Sequence, residues 1–534
     1  MSRGELVLEL LCEEIPANAL AGARAQLVAA FTTELSAAGF VGFEVEAHST
    51  VRRLVVVGKG IGLQQPDREE EVLGPPLRAA YASDGAPTQA ALGFARAHGV
   101  AVDALRVVQG PKGEVIAATR RIAGKPAAEV LAAIVTRVVP ELHFPKRMRW
   151  GQGEHVFVRP LHAIVALLGE RGLRTVVPIT LYGIDAGATT VGHRVASPGR
   201  VELMGVLGAA GYLERLASGG VVVDQTSRRR QLEARAIELA GEVGCEVRPD
   251  AALIDELVEL VEYPGVIRGE IALRHLALPD EVLITTLRHH QKALVLTREG
   301  RIAPYFLAVC DRADDPEGAV QQGNEWVVGA RLADAAFFFA QDRKRSLAGR
   351  VPALASVTFH PKVGTFLEKS ALVRESALAI AREVGAPSAP VALAAELLKA
   401  DLVTAMVGEF PELQGIVGGI YARLDGHADE VWQAIYDQYQ PAGIEGRIPR
   451  GPVAAIVGVA DRLDTLAAMF AAGEAPSGSR DPFALRRAAL AVVRICAEAP
   501  LACDLRAQAA RTLAARGAVA SGGAAAVGPA LLDF

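Results

Sequence analysis

The chain has few cysteines and none in a pairing pattern. Five occur in 534 residues, at 12, 245, 310, 496 and 503, and no two form C-x-x-C. That spacing suggests neither a disulfide frame nor a zinc knuckle, and it fits a reducing compartment. No uncharged apolar run reaches the length of a membrane-spanning helix. The first residues, MSRGELVLELLCEEIP, carry acids inside their apolar run, so they do not read as a signal peptide. Basic excess is also missing. The formal net charge is −5, so any nucleic-acid contact has to come from local patches or from a partner. Lysine is scarce beside arginine, and Ala and Gly are abundant, as a GC-rich genome produces. What is present is ordinary for a globular chain: 51% hydrophobic and 22% charged residues. At this length several domains are expected.

Periodicity organises the chain into two kinds of segment. Residues 5–16 read as a strand running into a turn at Pro16, and 17–38 as an Ala-rich helix. VRRLVVVG, 51–58, is β-branched and reads as a strand. Residues 88–98 form a small helical pattern, and 107–121 a hairpin around Lys112 and Gly113. Residues 160–192 mix strand-like runs with Gly turns; 227–243 and 251–262 are helical. From 324 to 498 nearly everything is helical. The tail at 517–529 is Gly/Ala-rich without period and reads as flexible.

Several stretches invite a chemical reading. Gly58-Lys59-Gly60-Ile61-Gly62 follows a strand, but its spacing misses the known phosphate loops, and a tight turn is the better reading. Three basic clusters can hold phosphate. Lys146, Arg147 and Arg149 flank Trp150. Arg343, Lys344 and Arg345, with Arg350, end a helix. Arg486, Arg487 and Arg494 share another helix. The first has a bland alternative as a solvated loop over the core; the other two could equally pair with acids such as Asp481 or Glu409. Arg228, Arg229 and Arg230 open a helix and read as solvated. His289 and His290 are adjacent and point to different sides, which disfavours a shared metal. No catalytic Ser-His-Asp or Cys-His order can be argued from spacing.

Eight blocks, in order, carry a resemblance: LLCEEIPANAL; STVRRLVVVGKG; FPKRMRWG with FVRPLHAIVALLG; GHRV; LVEYPGVIRGE; LPDEVLITTLRHHQKALVL; ARLADAAFFFAQDRKRSLAGRVPAL; and the run from LKADLVTAMVGEFPELQGIVGGIYA through VADRLDTLAAMF to SGSRDPFALRRAALAVVRI. Together they resemble the beta subunit of the bacterial two-chain glycyl-tRNA synthetase. The HHQK block departs from the family, which continues with two aromatics where this chain has Ala293 and Leu294.

The resemblance implies a multidomain α+β fold. Residues 1–150 are an N-terminal α/β domain. Residues 151–320 are an α/β region like the editing-type domain of the phenylalanyl-tRNA synthetase large subunit. Residues 321–498 are an all-α, degenerate HD-like domain, and 499–534 the truncated start of a C-terminal anticodon-binding helical domain. It implies a catalytic alpha subunit as partner, in a tetramer of two alpha and two beta chains, with tRNA for glycine as substrate and a cytoplasmic location without membrane contact. ATP is used by the complex, with Mg on the alpha subunit; this chain is expected to bind no cofactor and to be inactive alone. No ATP signature is readable, since Gln65 stands where the class II glycine run needs Arg. HD phosphohydrolases ligate metal through two histidines and two aspartates. Here Ala400 stands at the paired histidine beside Asp401, with Asp461 downstream and His360 in a loop-like stretch, and no metal is expected. An HD-type metal phosphohydrolase and a free-standing RNA-binding or assembly protein are the alternative readings.

Overall fold

The computed structural model describes residues 2–83, 85–111, 113–151, 153–478, 480–516 and 524–534. Lys112 of the expected hairpin turn, Ser479 and the first part of the 517–529 tail lie outside the described residues. The rest of that tail is a helix, Ala524–Asp533. The chain is multidomain α+β, in two compact units: Met1–Arg268 with Leu307–Gln321, and Gly269–Phe306 with Gln322–Phe534.

The first unit is built on a seven-stranded sheet. Strand Arg3–Cys12 lies at its centre, antiparallel to Arg53–Gly62 on one side and Leu161–Gly169 on the other. Leu6, Leu8 and Leu10 face helices Ala17–Ala37 and Ala127–Glu141 through Leu20, Leu27, Phe31, Leu131 and Val135. Val7 faces the other way, with Val55, Val57, Val165 and Leu167, under Tyr212 and Leu216 of helix Gly208–Ser218. A strand covered on both faces reads as a continuous apolar run, and each fully buried Leu stabilises by about 1.5–3 kcal/mol. A separate three-stranded sheet joins Arg68–Pro76, Gly113–Ile122 and Arg106–Gly110.

Gly58 to Gly62 is not the tight turn that its composition predicts. It is the end of strand Arg53–Gly62. The register shifts here, Gly4 facing Ile61 and Leu6 facing Gly58, and Gly60 has φ +68°. A bulge needs one residue at positive φ, which glycine adopts without strain.

Charge is buried in this unit as well. Glu9, fully buried in its strand, accepts from Thr190 and from Tyr212 and lies 3.6 Å from Arg53 Nε. Arg53 also pairs with Glu262, which accepts from Thr50 at 2.6 Å. Arg228, expected in solvent, is fully buried. Its guanidinium donates to the carbonyls of Val258, Val222, Val223 and Ser49 at 2.7–3.0 Å. It lies in phase with Leu232, Ala236 and Leu239 on the buried stripe of helix Gln225–Gly241, so it points inward.

The second unit is mostly helical; it also holds strand Leu294–Arg298 and a short strand pair at Thr358–His360 and Gly364–Thr365. Helix Gly451–Ala471 is its axis, with every residue from 453 to 461 buried. A helix apolar all round must be surrounded, and helices Phe366–Glu383, Ser388–Leu397, Asp429–Tyr436, Leu485–Glu498 and Leu505–Arg516 pack around it. Helix Phe366–Glu383 starts in a capping box of Thr365 and Glu368. The 398–424 stretch is less regular than its pattern suggests. Short turns at Ala400–Val403, Ala405–Glu409 and Pro411–Leu413 precede helix Ile416–Leu424. Asp342 holds the breaks by accepting from Ala405 N, Met406 N and Tyr421 OH at 2.9–3.1 Å.

Candidate nucleic-acid interface

In the first unit, Lys146, Arg147 and Arg149 are all exposed. Arg147 donates to the carbonyl of Leu142. Lys146 and Arg149 have no side-chain partner among the described residues. Trp150 turns away from solvent, edge-on to Tyr182 at 5.6 Å and against the core. The stretch offers two free cations, and its indole packs rather than presenting a face to a base.

The second cluster follows helix Ala319–Asp342 and is largely engaged. Arg343 pairs with Asp425 at 2.9 Å, and Lys344 bonds Gln341 at 2.7 Å. Arg350 reaches back to Asp342 at 3.1 Å and is mostly buried. Arg345 remains exposed, without a side-chain partner among the described residues.

The third cluster keeps its cations together. Arg486, Arg487 and Arg494 line one cleft of about 280 Å³ with Pro441, Ile444 and Leu490. Asp481 caps the start of the helix by accepting from the backbone of Leu485 and Arg486 rather than pairing with a guanidinium. Arg486 donates to the Gly478 carbonyl at 2.7 Å, and Arg494 pairs with Glu498 at 2.7 Å. Arg487 is exposed with no partner among the described residues. Glu409, the other acid considered, pairs with Arg331 at 3.3 Å. A guanidinium row beside exposed apolar side chains suits a phosphate backbone with sugar or base packed against it.

Of the positions compared with metal ligands, Asp461 lies in a buried ion cluster. Asp461, on the axial helix, has Lys399 Nζ at 2.9 Å from one oxygen and Lys369 Nζ at 3.0 Å from the other. Lys369 also reaches Asp464 at 2.9 Å, and Asp464 takes Arg516 through both oxygens at 2.7 and 2.9 Å. Burial pushes the Asp461 carboxyl up, but the two ammonium groups outweigh it and hold it far below the usual range. Asp401 is different. Burial dominates, and its carboxyl is pushed up to about 6 although Gly415 N donates to it at 2.5 Å. Ala400 is fully buried and brings no ligand atom. His360 accepts from Lys362 N and stacks edge-on to Phe483 at 5.8 Å. At Asp461, protein cations sit where a metal ion would bind a carboxylate. Gln65, at the position where an ATP signature needs Arg, ties the Ala38 carbonyl to Lys125 N.

The sequence profile of the glycyl-tRNA synthetase beta subunit matches residues 6–534. The chain belongs to the glycyl-tRNA synthetase beta subunit family. It is 41% identical over 498 residues to the glycine–tRNA ligase beta subunit of Moorella thermoacetica, covering 92% of this chain and 71% of that one. The relative of the same name from Chromohalobacter salexigens is 40% identical, covering 95% and 72%. The one from Anaeromyxobacter dehalogenans is 40% identical, covering 99% and 75%. The family is a ligase family, and an HD-type phosphohydrolase is not favoured.

Residue-type reasoning missed Lys369 and Arg516, which complete the buried cluster of this family member, and Arg53 and Arg228 in the first unit. One signal was available. Lys369 lies in register with Val373, Ser376 and Ile380 on the buried face of its helix, and a charge in phase with a core stripe marks a buried ion.

Proposed function

We propose that this chain works with a catalytic alpha subunit, in an assembly of two alpha and two beta chains in the cytoplasm. The pair ligates glycine to its tRNA. ATP and Mg are handled by the alpha subunit, and this chain holds the tRNA so that its 3′ end reaches the adenylate. The observation that carries the reading is the family match across residues 6–534, with relatives named glycine–tRNA ligase beta subunit. The unpaired cations Lys146, Arg149, Arg345 and Arg487, with Arg486 and Arg494, are the proposed phosphate contacts. An editing-type fold for 151–320 and an HD-like origin for 321–498 belong to the same reading.

Charging of tRNA with the two subunits together is expected to exceed that with either alone by at least tenfold, because transfer needs the tRNA held in place as well as the adenylate made. Equal charging by the alpha subunit alone would remove the proposed role. In the assembled complex, Arg486→Ala with Arg487→Ala should weaken tRNA binding and flatten its salt dependence. The log–log slope should become shallower by about 0.7–0.9 for each phosphate that is no longer neutralised. An unchanged slope assigns that cleft to protein packing.

A further inference from the structure

A second cleft in the helical unit gathers guanidiniums that no sequence motif marks. It encloses about 370 Å³, a volume that suits a small ligand, and is lined by Glu281, Arg423, Trp432, Tyr436, Arg447 and Arg450. Three guanidiniums meet here against two carboxylates. Asp437, fully buried behind the cleft, serves two of them: Arg450 at 2.8 Å and Arg447 at 2.9 Å. Those two arginines stay 42% and 46% exposed, so the shared carboxylate fixes their forks without covering them. Glu281 accepts the Tyr436 hydroxyl at 2.9 Å. Arg423 is exposed and has no carboxylate partner among the described residues; it lies 5.5 Å from the centre of the Trp432 ring, as does Arg450. Arg450 also lies 5.3 Å from the Tyr436 ring.

Asp437 and Glu281 leave the three guanidiniums with an excess of one positive charge, which an anion in the cleft would balance. Asp437 takes two donors from each of Arg447 and Arg450, which fixes the orientation of their remaining N–H groups for contact with a phosphate. Aromatic rings at the same cleft add a surface for a planar base. We propose that this cleft is a nucleotide site, taking the phosphate on Arg423, Arg447 and Arg450 with the base against Trp432 and Tyr436. The same chemistry is presented by a free nucleotide and by a nucleotide within an RNA strand. The proposal stands apart from the tRNA reading, because a free nucleotide binds or fails to bind without tRNA or alpha subunit present.

The test uses the full chain and its tryptophan fluorescence, since Trp432 is one of only three tryptophans. AMP, a short 5′-phosphorylated RNA and ribose 5-phosphate are titrated separately. Saturable quenching is expected with AMP, with the RNA, or with both. It should be absent in Trp432→Phe, and binding should weaken at least tenfold in Arg423→Gln. Arg423 touches no buried carboxylate, so that variant should keep the wild-type melting curve; Arg447→Gln is the second variant. AMP binding assigns the site to free nucleotides, and response to RNA alone assigns it to a strand. Three results overturn the proposal: no response to either ligand, ribose 5-phosphate binding as tightly as AMP, or wild-type affinity in both arginine variants.

Discussion

Lys369→Met should destabilise the helical unit by about 3–5 kcal/mol, the cost typical of removing one partner from a buried ion pair. The lysine lies between Asp461 and Asp464: it donates to the Asp464 carboxylate and Thr465 Oγ1 at 2.9 Å and to the Asp461 carbonyl at 3.2 Å, pairs with the Asp461 carboxylate at 3.0 Å, and sits 4.7 Å over the Phe359 ring. Methionine fills much the same volume, so packing loss is small and electrostatics decide the result. Two carboxylates would then share Lys399 and Arg516, and Asp461 Oδ1 would face no cation. Urea unfolding followed by circular dichroism measures the loss. Adding Asp461→Asn should recover at least about 1 kcal/mol, because an amide carries no charge to strand. Lys369→Met within about 1 kcal/mol of wild type would show that solvent reaches the cluster. A further loss on adding Asp461→Asn would show that hydrogen bonds, rather than charge balance, hold it.

That cluster also shows what the sequence reveals and what it hides. Period-2 and period-3.6 patterns located most elements: the central strand, helix Ala17–Ala37 and the helix-rich second half all follow from side-chain phase. Ordered motifs carry the family resemblance by themselves. Local chemistry was harder. Gly58 to Gly62 looked like a turn because composition alone does not separate a turn from a bulge; the difference lies in the register against Gly4 and Leu6. Arg228 looked solvated because neighbouring arginines usually are. Only its phase with Leu232 and Ala236 distinguishes it from Arg229, which pairs with Glu233 and Asp255 near the surface. The basic clusters show the same limit. The charges near 343–350 and 486–494 look alike in the sequence, yet Arg343 and Arg494 are paired with acids while Arg345 and Arg487 have no acidic partner among the described residues. The Arg423, Trp432 and Arg450 cleft joins residues from three separate segments, so no single motif marks it.

Asp401→Asn should change stability in the opposite sense to any substitution of Asp461, and the contrast depends on pH. Asp401 is fully buried and its carboxyl is pushed up to about 6 by that burial, against 3.8 for an ordinary aspartate. A folded pKa above the unfolded one gives a contribution that is fully present below about pH 4 and is lost as pH rises through 6. Two pKa units correspond to about 2–3 kcal/mol. Asp461 runs the other way: Lys369 and Lys399 hold its carboxyl down, so its contribution is present above about pH 4 and disappears as acid protonates it. Asparagine at 401 keeps an oxygen for Gly415 N and carries no charge at any pH. The stability of Asp401→Asn relative to wild type should therefore rise by about 2–3 kcal/mol between pH 4 and pH 8. Asp461→Asn should differ from wild type by a nearly constant amount over the same range, because both its folded and its unfolded titrations lie at or below about pH 4. Urea unfolding at pH 4, 5, 6, 7 and 8 separates the two curves. A flat difference for Asp401→Asn would mean that Asp401 ionises as a solvated carboxylate, and a falling one would mean that its charge is compensated by Lys399.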